Sequence, residues 1–209
     1  MAQYISDEVL ARLNVSRESL ARIETYVELL LTWQTRINLI GPSTVEAVWQ
    51  RHVLDGLQLL ALMHPKTEAI ADLGSGAGIP GLVLALGGNL SADLYESNGK
   101  KVAFMREAIR LTGAKAHVHQ IRLETLEDHL PERIPDYVTA RALAPLGRLL
   151  SWAEPLLKRG AIGLFHKGQD VDSEVNEATK LWKMGAIIRH ASMTDSDGTI
   201  LEVKEITRV

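Results

Sequence analysis

From Ala71 to Gly81 the chain reads Ala-Asp-Leu-Gly-Ser-Gly-Ala-Gly-Ile-Pro-Gly, an acid at the end of an apolar stretch followed by closely spaced glycines and a helix start. A backbone that leaves a strand and turns at once into a helix needs positive φ and close approach to whatever lies above it, which glycine allows. Pro80 suits the first helical turn, where its missing N–H is not required. Gly76, Gly78 and Gly81 formally satisfy G-x-G-x-x-G, the pattern that seats a dinucleotide pyrophosphate on a helix N-terminus. Asp72 argues against that ligand, because a carboxylate two residues before the first glycine would repel a pyrophosphate. S-adenosylmethionine has an ammonium, a sulfonium and no phosphate, so the same acid favours it. Asp72 with Gly74, Gly76 and Gly78 is therefore read as the cradle for the methionine end of that cofactor.

Other chemistry sits where further strands should end. Glu96, about twenty residues past the glycines, is placed to accept hydrogen bonds from ribose hydroxyls. The segment Ile121-Arg122-Leu123-Glu124 should reach the adenine end, since ligands lie outside the carboxyl ends of parallel strands. Arg141 falls beside the transferable methyl, and Lys167, in His166-Lys167-Gly168, falls on the same side of the sheet. These two are the candidates for orienting an acceptor or its phosphate. His52 and Asp55 lie about one helical turn apart and fit either a catalytic pair or a hydrogen-bonded brace of the N-terminal helix. Lys100, Lys101, Arg106, Arg110, Arg122, Arg148, Lys158 and Arg159 add positive charge to the second half, of which a subset could meet phosphates.

Absent residues narrow the reaction. There is no cysteine, which excludes thiolate metal sites and the covalent ring activation that methylation at pyrimidine carbon 5 generally uses. The segment Arg141-Ala142-Leu143-Ala144-Pro145 lacks the aromatic that follows the Asn/Asp-Pro-Pro signature of amino-group methylases. A ring nitrogen such as guanine N7 already presents an in-plane lone pair and needs orientation and charge complementarity more than a general base.

The elements that must position these groups follow from periodicity. With 209 residues the chain is long enough for one substantial core. Leu20, Ile23, Val27, Leu30 and Leu31 recur at helical spacing behind Ser16 as N-cap, and Ser43 with Glu46 has capping-box spacing for a second helix running to about Leu62. From about Glu68 short apolar runs alternate with helical stretches, the form of a parallel sheet with crossover helices. Strands are expected near 69–73, 92–96, 116–121, 136–141 and 161–166. Two strand-like runs at 186–193 and 199–206 flank the polar tip 194–198 and predict a C-terminal antiparallel hairpin. The expected organisation is an N-terminal helical extension over 1–66 and a cofactor-binding domain over 67–209, together one compact unit. A net charge of −3 argues against indiscriminate nucleic-acid binding and permits a local basic face. Neither a basic-flanked apolar leader nor eighteen consecutive apolar residues is present, which predicts a soluble, cytoplasmic, membrane-free protein.

Taken together, Asn38-Leu39-Ile40, Arg51-His52-Val53-Leu54-Asp55, Asp72 to Gly81, Glu96-Ser97-Asn98-Gly99-Lys100-Lys101, Arg141-Ala142 and Lys167-Gly168 resemble the RsmG (GidB) family of bacterial small-subunit rRNA methyltransferases, in order and over nearly the whole chain. The resemblance implies an α/β fold, the Rossmann-like class I S-adenosylmethionine-dependent methyltransferase, with a seven-stranded, mostly parallel sheet. It also implies methyl transfer from S-adenosylmethionine to guanine N7 in a decoding-region loop of 16S rRNA; the chain is expected to act as a monomer on 16S rRNA or the small ribosomal subunit and to need no metal. Carried over by position, the cofactor contacts would be Gly74, Ile79, Leu123, Glu124 and Arg141, with Glu96 on the ribose. The chain departs from the family pattern in having Glu96 for Asp, Gly56 for Ser, Ile40 for Thr, and His166 for a small or apolar residue. Three other readings remain: a methyltransferase of another RNA, protein or small molecule, an NAD-dependent dehydrogenase that Asp72 disfavours, and a non-catalytic RNA-binding assembly module.

Overall fold

The computed structural model describes residues 5–194 and 198–209. Helix α1 (Asp7–Arg12) leads into α2 (Arg17–Gln34), where the Ser16 hydroxyl accepts the Ser19 N–H at 3.0 Å and so caps the helix as its sequence predicts. The inner face of α2 buries Ile23, Tyr26, Val27 and Leu30. Beyond it, the Gln34 amide pins the chain by donating to the Ile40 carbonyl and accepting from the Leu39 and Ile40 N–H groups.

The second expected helix is not continuous. A 3₁₀ turn (Pro42–Thr44), a π-helical turn (Trp49–Leu54), α3 (Asp55–Leu57) and a further 3₁₀ turn (Gln58–Leu62) replace it. The 3₁₀ turn begins without a side-chain cap, so Ser43 and Glu46 form no capping box there. Instead the Thr44 hydroxyl bonds the Gly41 carbonyl at 2.7 Å and meets His52. π-helical turns are rare and are frequently found at functional sites.

The remaining elements alternate as expected: β1 (Ala69–Leu73), α4 (Gly81–Gly88), β2 (Ser91–Tyr95), α5 (Gly99–Thr112), β3 (Ala116–His119), β4 (Tyr137–Arg141), α6 (Leu146–Leu157), β5 (Ile162–Lys167), α7 (Val171–Thr179), β6 (Trp182–Ala191) and β7 (Thr199–Arg208). They form one seven-stranded sheet in the order β3-β2-β1-β4-β5-β7-β6. Strands β1 to β5 are parallel, and β7 inserts antiparallel between β5 and β6. The hairpin's first strand therefore forms the sheet edge and its second strand is internal. Strand β6 begins four residues before its expected start, at Trp182, which is buried against the α6 side. The hairpin tip over 195–197 lies outside the described residues.

All five residues of β1 are buried, because helices cover both faces of the sheet. On one face, Ile70, Leu82, Leu94 and Phe104 share an apolar core with Ile23, Tyr26 and Leu30 of the N-terminal helices. On the other, Ala71, Leu73 and Val138 pack with Leu149, Leu150 and Leu156 of α6. Among the described residues no helix is long and apolar enough to cross a membrane.

Because α2 shares its core with the sheet, I23A is expected to lower global stability by about 2–5 kcal/mol. Urea denaturation followed by tryptophan fluorescence and far-UV circular dichroism should show one coincident transition shifted to lower urea, whereas an independently folding extension would give two.

Candidate functional site

The glycine loop leaves β1 above a carboxylate that is entirely internal. Asp72 is 0% exposed. Its Oδ1 accepts the hydroxyl of Thr139, its register partner on β4, at 2.7 Å, and its Oδ2 accepts the Gly81 N–H at 3.1 Å. Burial pushes its pKa up to about 6, against the lowering effect of those hydrogen bonds. Expected in the ligand cradle, the carboxylate has both oxygens bonded internally and braces the loop from behind. The same bond occupies an N–H at the start of α4, where a dinucleotide pyrophosphate would sit. Gly81 permits this approach: a Cβ there would stand 2.5 Å from both Asp72 Cβ and Leu94 Cδ2.

The loop closes on itself. The Gly78 and Ile79 N–H groups both donate to the Ser75 carbonyl, at 2.7 and 3.1 Å, and Gly76 takes φ +58°. From α2 the buried Tyr26 hydroxyl donates to the Ala77 carbonyl at 2.8 Å. Gly78 and Ile79 thus shape the loop through their backbone N–H groups. Tyr26 belongs to the site although its helical spacing marks it only as core.

Two cavities open at the carboxyl edge of the sheet, and residues 142–145 line both. The smaller, about 450 Å³, contains Gly74, Tyr95, Glu96, Lys101, Leu123 and Glu124 among its lining residues. Four of the expected cofactor contacts therefore share one cleft. Glu96 Oε2 accepts the Gly76 N–H at 2.9 Å and Oε1 the Asn98 N–H at 2.8 Å. Each oxygen keeps a lone pair for a ligand hydroxyl. Tyr95, stacked on His119 with centroids 4.7 Å apart, brings to this cleft a buried hydroxyl with no partner among the described residues.

The larger cavity, about 680 Å³, is lined by Arg51, Asp55, Arg141, His166 and Lys167 among others. Arg141, expected both on the cofactor and beside the acceptor, lines this cavity. Its Nε pairs with Asp55 Oδ2 at 2.9 Å, Nη1 donates to His52 Nδ1 at 2.9 Å, and Nη2 donates to the Arg51 carbonyl at 2.6 Å. A guanidinium only donates, so His52 Nδ1 is the acceptor and its Nε2–H points to Thr44 Oγ1, 2.7 Å away. Burial, followed by the charge of Arg141, lowers the His52 pKa to about 4 and keeps the ring neutral at pH 7.

Lys167 is likewise committed. Its Nζ donates to the Ala144 carbonyl at 2.8 Å and pairs with Glu174 at 2.5 Å, with the side chain 6% exposed. Expected to orient a guanine or phosphate, Lys167 here fastens the 142–145 segment to α7. Ala142 takes φ +49°, a left-handed conformation uncommon for a non-glycine residue. His166, the register partner of Arg141, donates from Nε2 to the Asp55 carbonyl at 2.8 Å. Gln58 completes the cluster by donating to Asp55 Oδ1 at 2.7 Å and accepting the Met193 N–H at 2.6 Å. Of the two roles open to His52 and Asp55, the brace is the one whose bonds are present. Among the described residues, no group of three or more His, Asp or Glu is arranged to hold a metal.

Comparison with known proteins adds independent information. Residues 19–199 match the family model described as rRNA small subunit methyltransferase G, GidB. Proteins named ribosomal RNA small subunit methyltransferase G are 49% identical in Rhodospirillum rubrum, over 93% of this chain and 94% of theirs, and 46% identical in Methylorubrum populi, over 100% and 99%. Among solved structures, M. jannaschii TYW2 in complex with AdoMet has a TM-score of 0.57 at 13% identity, covering 84% of this chain and 80% of that one. A TehB-like SAM-dependent methyltransferase from Corynebacterium glutamicum has a TM-score of 0.56 at 14% identity, covering 78% and 92%. Those two likenesses establish the class I methyltransferase fold.

Two outcomes follow from this geometry. G81A should lose about 1–3 kcal/mol through overpacking against Asp72 and Leu94 and weaken cofactor affinity, read by urea melts and calorimetry. Because the folded-state pKa of His52 is depressed from 6.5 to about 4, its contribution to stability is fully present above 6.5 and is lost as pH falls toward 4. The stability difference between wild type and H52Q should therefore grow from pH 4 to 6.5 and then level off. A pH-independent difference would contradict the neutral, buried assignment.

Proposed function

The chain belongs to the rRNA small subunit methyltransferase G family, and we propose that it transfers a methyl group from S-adenosylmethionine to N7 of one guanine in a decoding-region loop of 16S rRNA. The observation that carries this reading is the pair of cavities at the carboxyl edge of the sheet, divided by residues 142–145. One suits a nucleoside cofactor and the other a base.

The residues of the smaller cleft fit the cofactor. Glu96 offers free lone pairs to ribose hydroxyls, Ile121 and Leu123 provide an apolar flank for a purine, and the Gly74 to Gly78 turn allows close approach from below. When bound, S-adenosylmethionine supplies an electrophilic methyl on a sulfonium. The protein's part is to hold donor and acceptor in line and exclude water, contributions that can account for much of a bimolecular barrier. In the larger cavity the buried charges are already paired, Arg141 with Asp55 and Lys167 with Glu174. Arg141 and Lys167 are positioning residues in this account. Arg141 holds the Arg51-His52-Asp55 wall of the acceptor cavity, and Lys167 holds the 142–145 divider.

N7 attack releases no proton from the guanine nitrogen, so no general base is assigned. Neutral His52 agrees with this, because its Nδ1 lone pair is taken by Arg141. The 16S rRNA or small subunit is the proposed partner and the cytoplasm the proposed location.

Methyl label from S-adenosylmethionine, mapped by mass spectrometry on ribosomal RNA from cells lacking the gene, should enter guanine N7 at a single site. Label on another base, or full turnover on a small acceptor with none in rRNA, would contradict the reading. E96A should reduce incorporation by about 10-fold or more, reflecting loss of charge-assisted hydrogen bonds, and should act through cofactor affinity.

A further inference from the structure

Three cations line the smaller cleft: Lys101, Arg122 and Arg148. Arg148 is held by Glu124 at 3.4 Å and lies over the Trp152 ring, 4.7 Å from its centroid. Arg122 is exposed at the end of the cleft that Leu123 lines. Lys101 differs from both. It is half-buried, and among the described residues its ammonium makes no hydrogen bond or ion pair. Its nitrogen lies 3.9 Å from where a Cβ on Gly76 would stand, directly against the glycine loop.

The local sequence explains this placement. Asn98 caps α5 by accepting the N–H groups of Lys100 and Lys101, at 3.0 and 3.3 Å, which fixes the first helical turn. Lys100 is left exposed and Lys101 is turned toward the loop. Glu96 lines the same cleft, but its oxygens go to the Gly76 and Asn98 N–H groups. An unpaired ammonium at a partly enclosed position has lost hydration without gaining a partner, which favours an anionic ligand group.

S-adenosylmethionine carries one anionic group, its α-carboxylate, at the end opposite the adenine. Glu96 takes the ribose and the loop after β3 the adenine, so the methionine portion lies along the glycine loop beneath Lys101. We propose that Lys101 is the anchor for the cofactor's α-carboxylate. The inference rests on the assignment of S-adenosylmethionine to this cleft. It makes Lys101, whose ammonium has no bonded partner among the described residues, the residue that reads the charge of the amino-acid end.

The test uses the full chain and two ligands, S-adenosylhomocysteine and its decarboxylated analogue, which keeps the ammonium and lacks the carboxylate. By calorimetry, K101M should bind S-adenosylhomocysteine about 10-fold more weakly than wild type, as expected for loss of one charge-assisted contact. The decarboxylated analogue should bind both proteins alike. K101R should recover most of the affinity, and K100M, which removes the same charge from an exposed position, should leave it unchanged. Thermal melting of K101M should match wild type. Unchanged affinity of K101M for S-adenosylhomocysteine would overturn the proposal, including the case in which its rRNA KM rises and the ammonium serves an RNA phosphate. Failure of wild type to bind either ligand would instead overturn the cofactor assignment on which the proposal rests.

Discussion

Four segments distant in sequence meet at Asp55. Its Oδ2 accepts from Arg141 at the end of β4, its Oδ1 from Gln58, and its carbonyl from His166 on β5. Gln58 in turn accepts the Met193 N–H beyond β6. Both partners of the central ion pair are largely buried, with side-chain exposures of 20% for Arg141 and 11% for Asp55. Removing one member of such a pair leaves a charge without compensation and typically costs about 3–5 kcal/mol. The N-terminal helices are thereby fastened to the functional edge of the sheet by more than apolar packing. The π-helical turn and the start of α3 present Arg51, His52 and Asp55 toward Arg141 together.

A second buried carboxylate organises the glycine loop by different means. Among the described residues Asp72 has no cation bonded to it and is served by the Thr139 hydroxyl and the Gly81 N–H. Desolvation dominates there, and its pKa rises accordingly. One carboxylate joins elements through a cation, and the other folds a loop over itself through neutral donors. Between them stands the 142–145 segment, tied to α7 through Lys167 and Glu174.

Most of the architecture was legible from periodicity. The strand runs before each helix, the Ser16 cap and the hairpin all correspond to observed elements, because they depend on local pattern. The segment 42–62 was not, since its broken helix is set by Thr44, His52 and Arg141 meeting across 97 positions of chain. Glu96, Leu123 and Glu124 could be placed in a cleft because strand ends fix them. Asp72, Arg141 and Lys167 were assigned to ligands from charge and strand-end position, and in the structure each also has an internal partner. Spacing shows that a charge lies near a strand end, but it does not show which neighbour will claim it. Tyr26 illustrates the converse: a hydroxyl at a helical core position reaches the glycine loop only because of how α2 crosses α4 and α5.

The central claim is that Arg141 acts through Asp55 to build the acceptor wall and not by touching the substrate independently. A double-mutant cycle on kcat/KM for rRNA methylation, using D55A, R141A and the double variant, tests it most directly. The account predicts strong non-additivity, with the double variant little worse than either single one and S-adenosylhomocysteine affinity nearly constant throughout. Losses that add, so that the double variant shows the product of the two single effects, would contradict it.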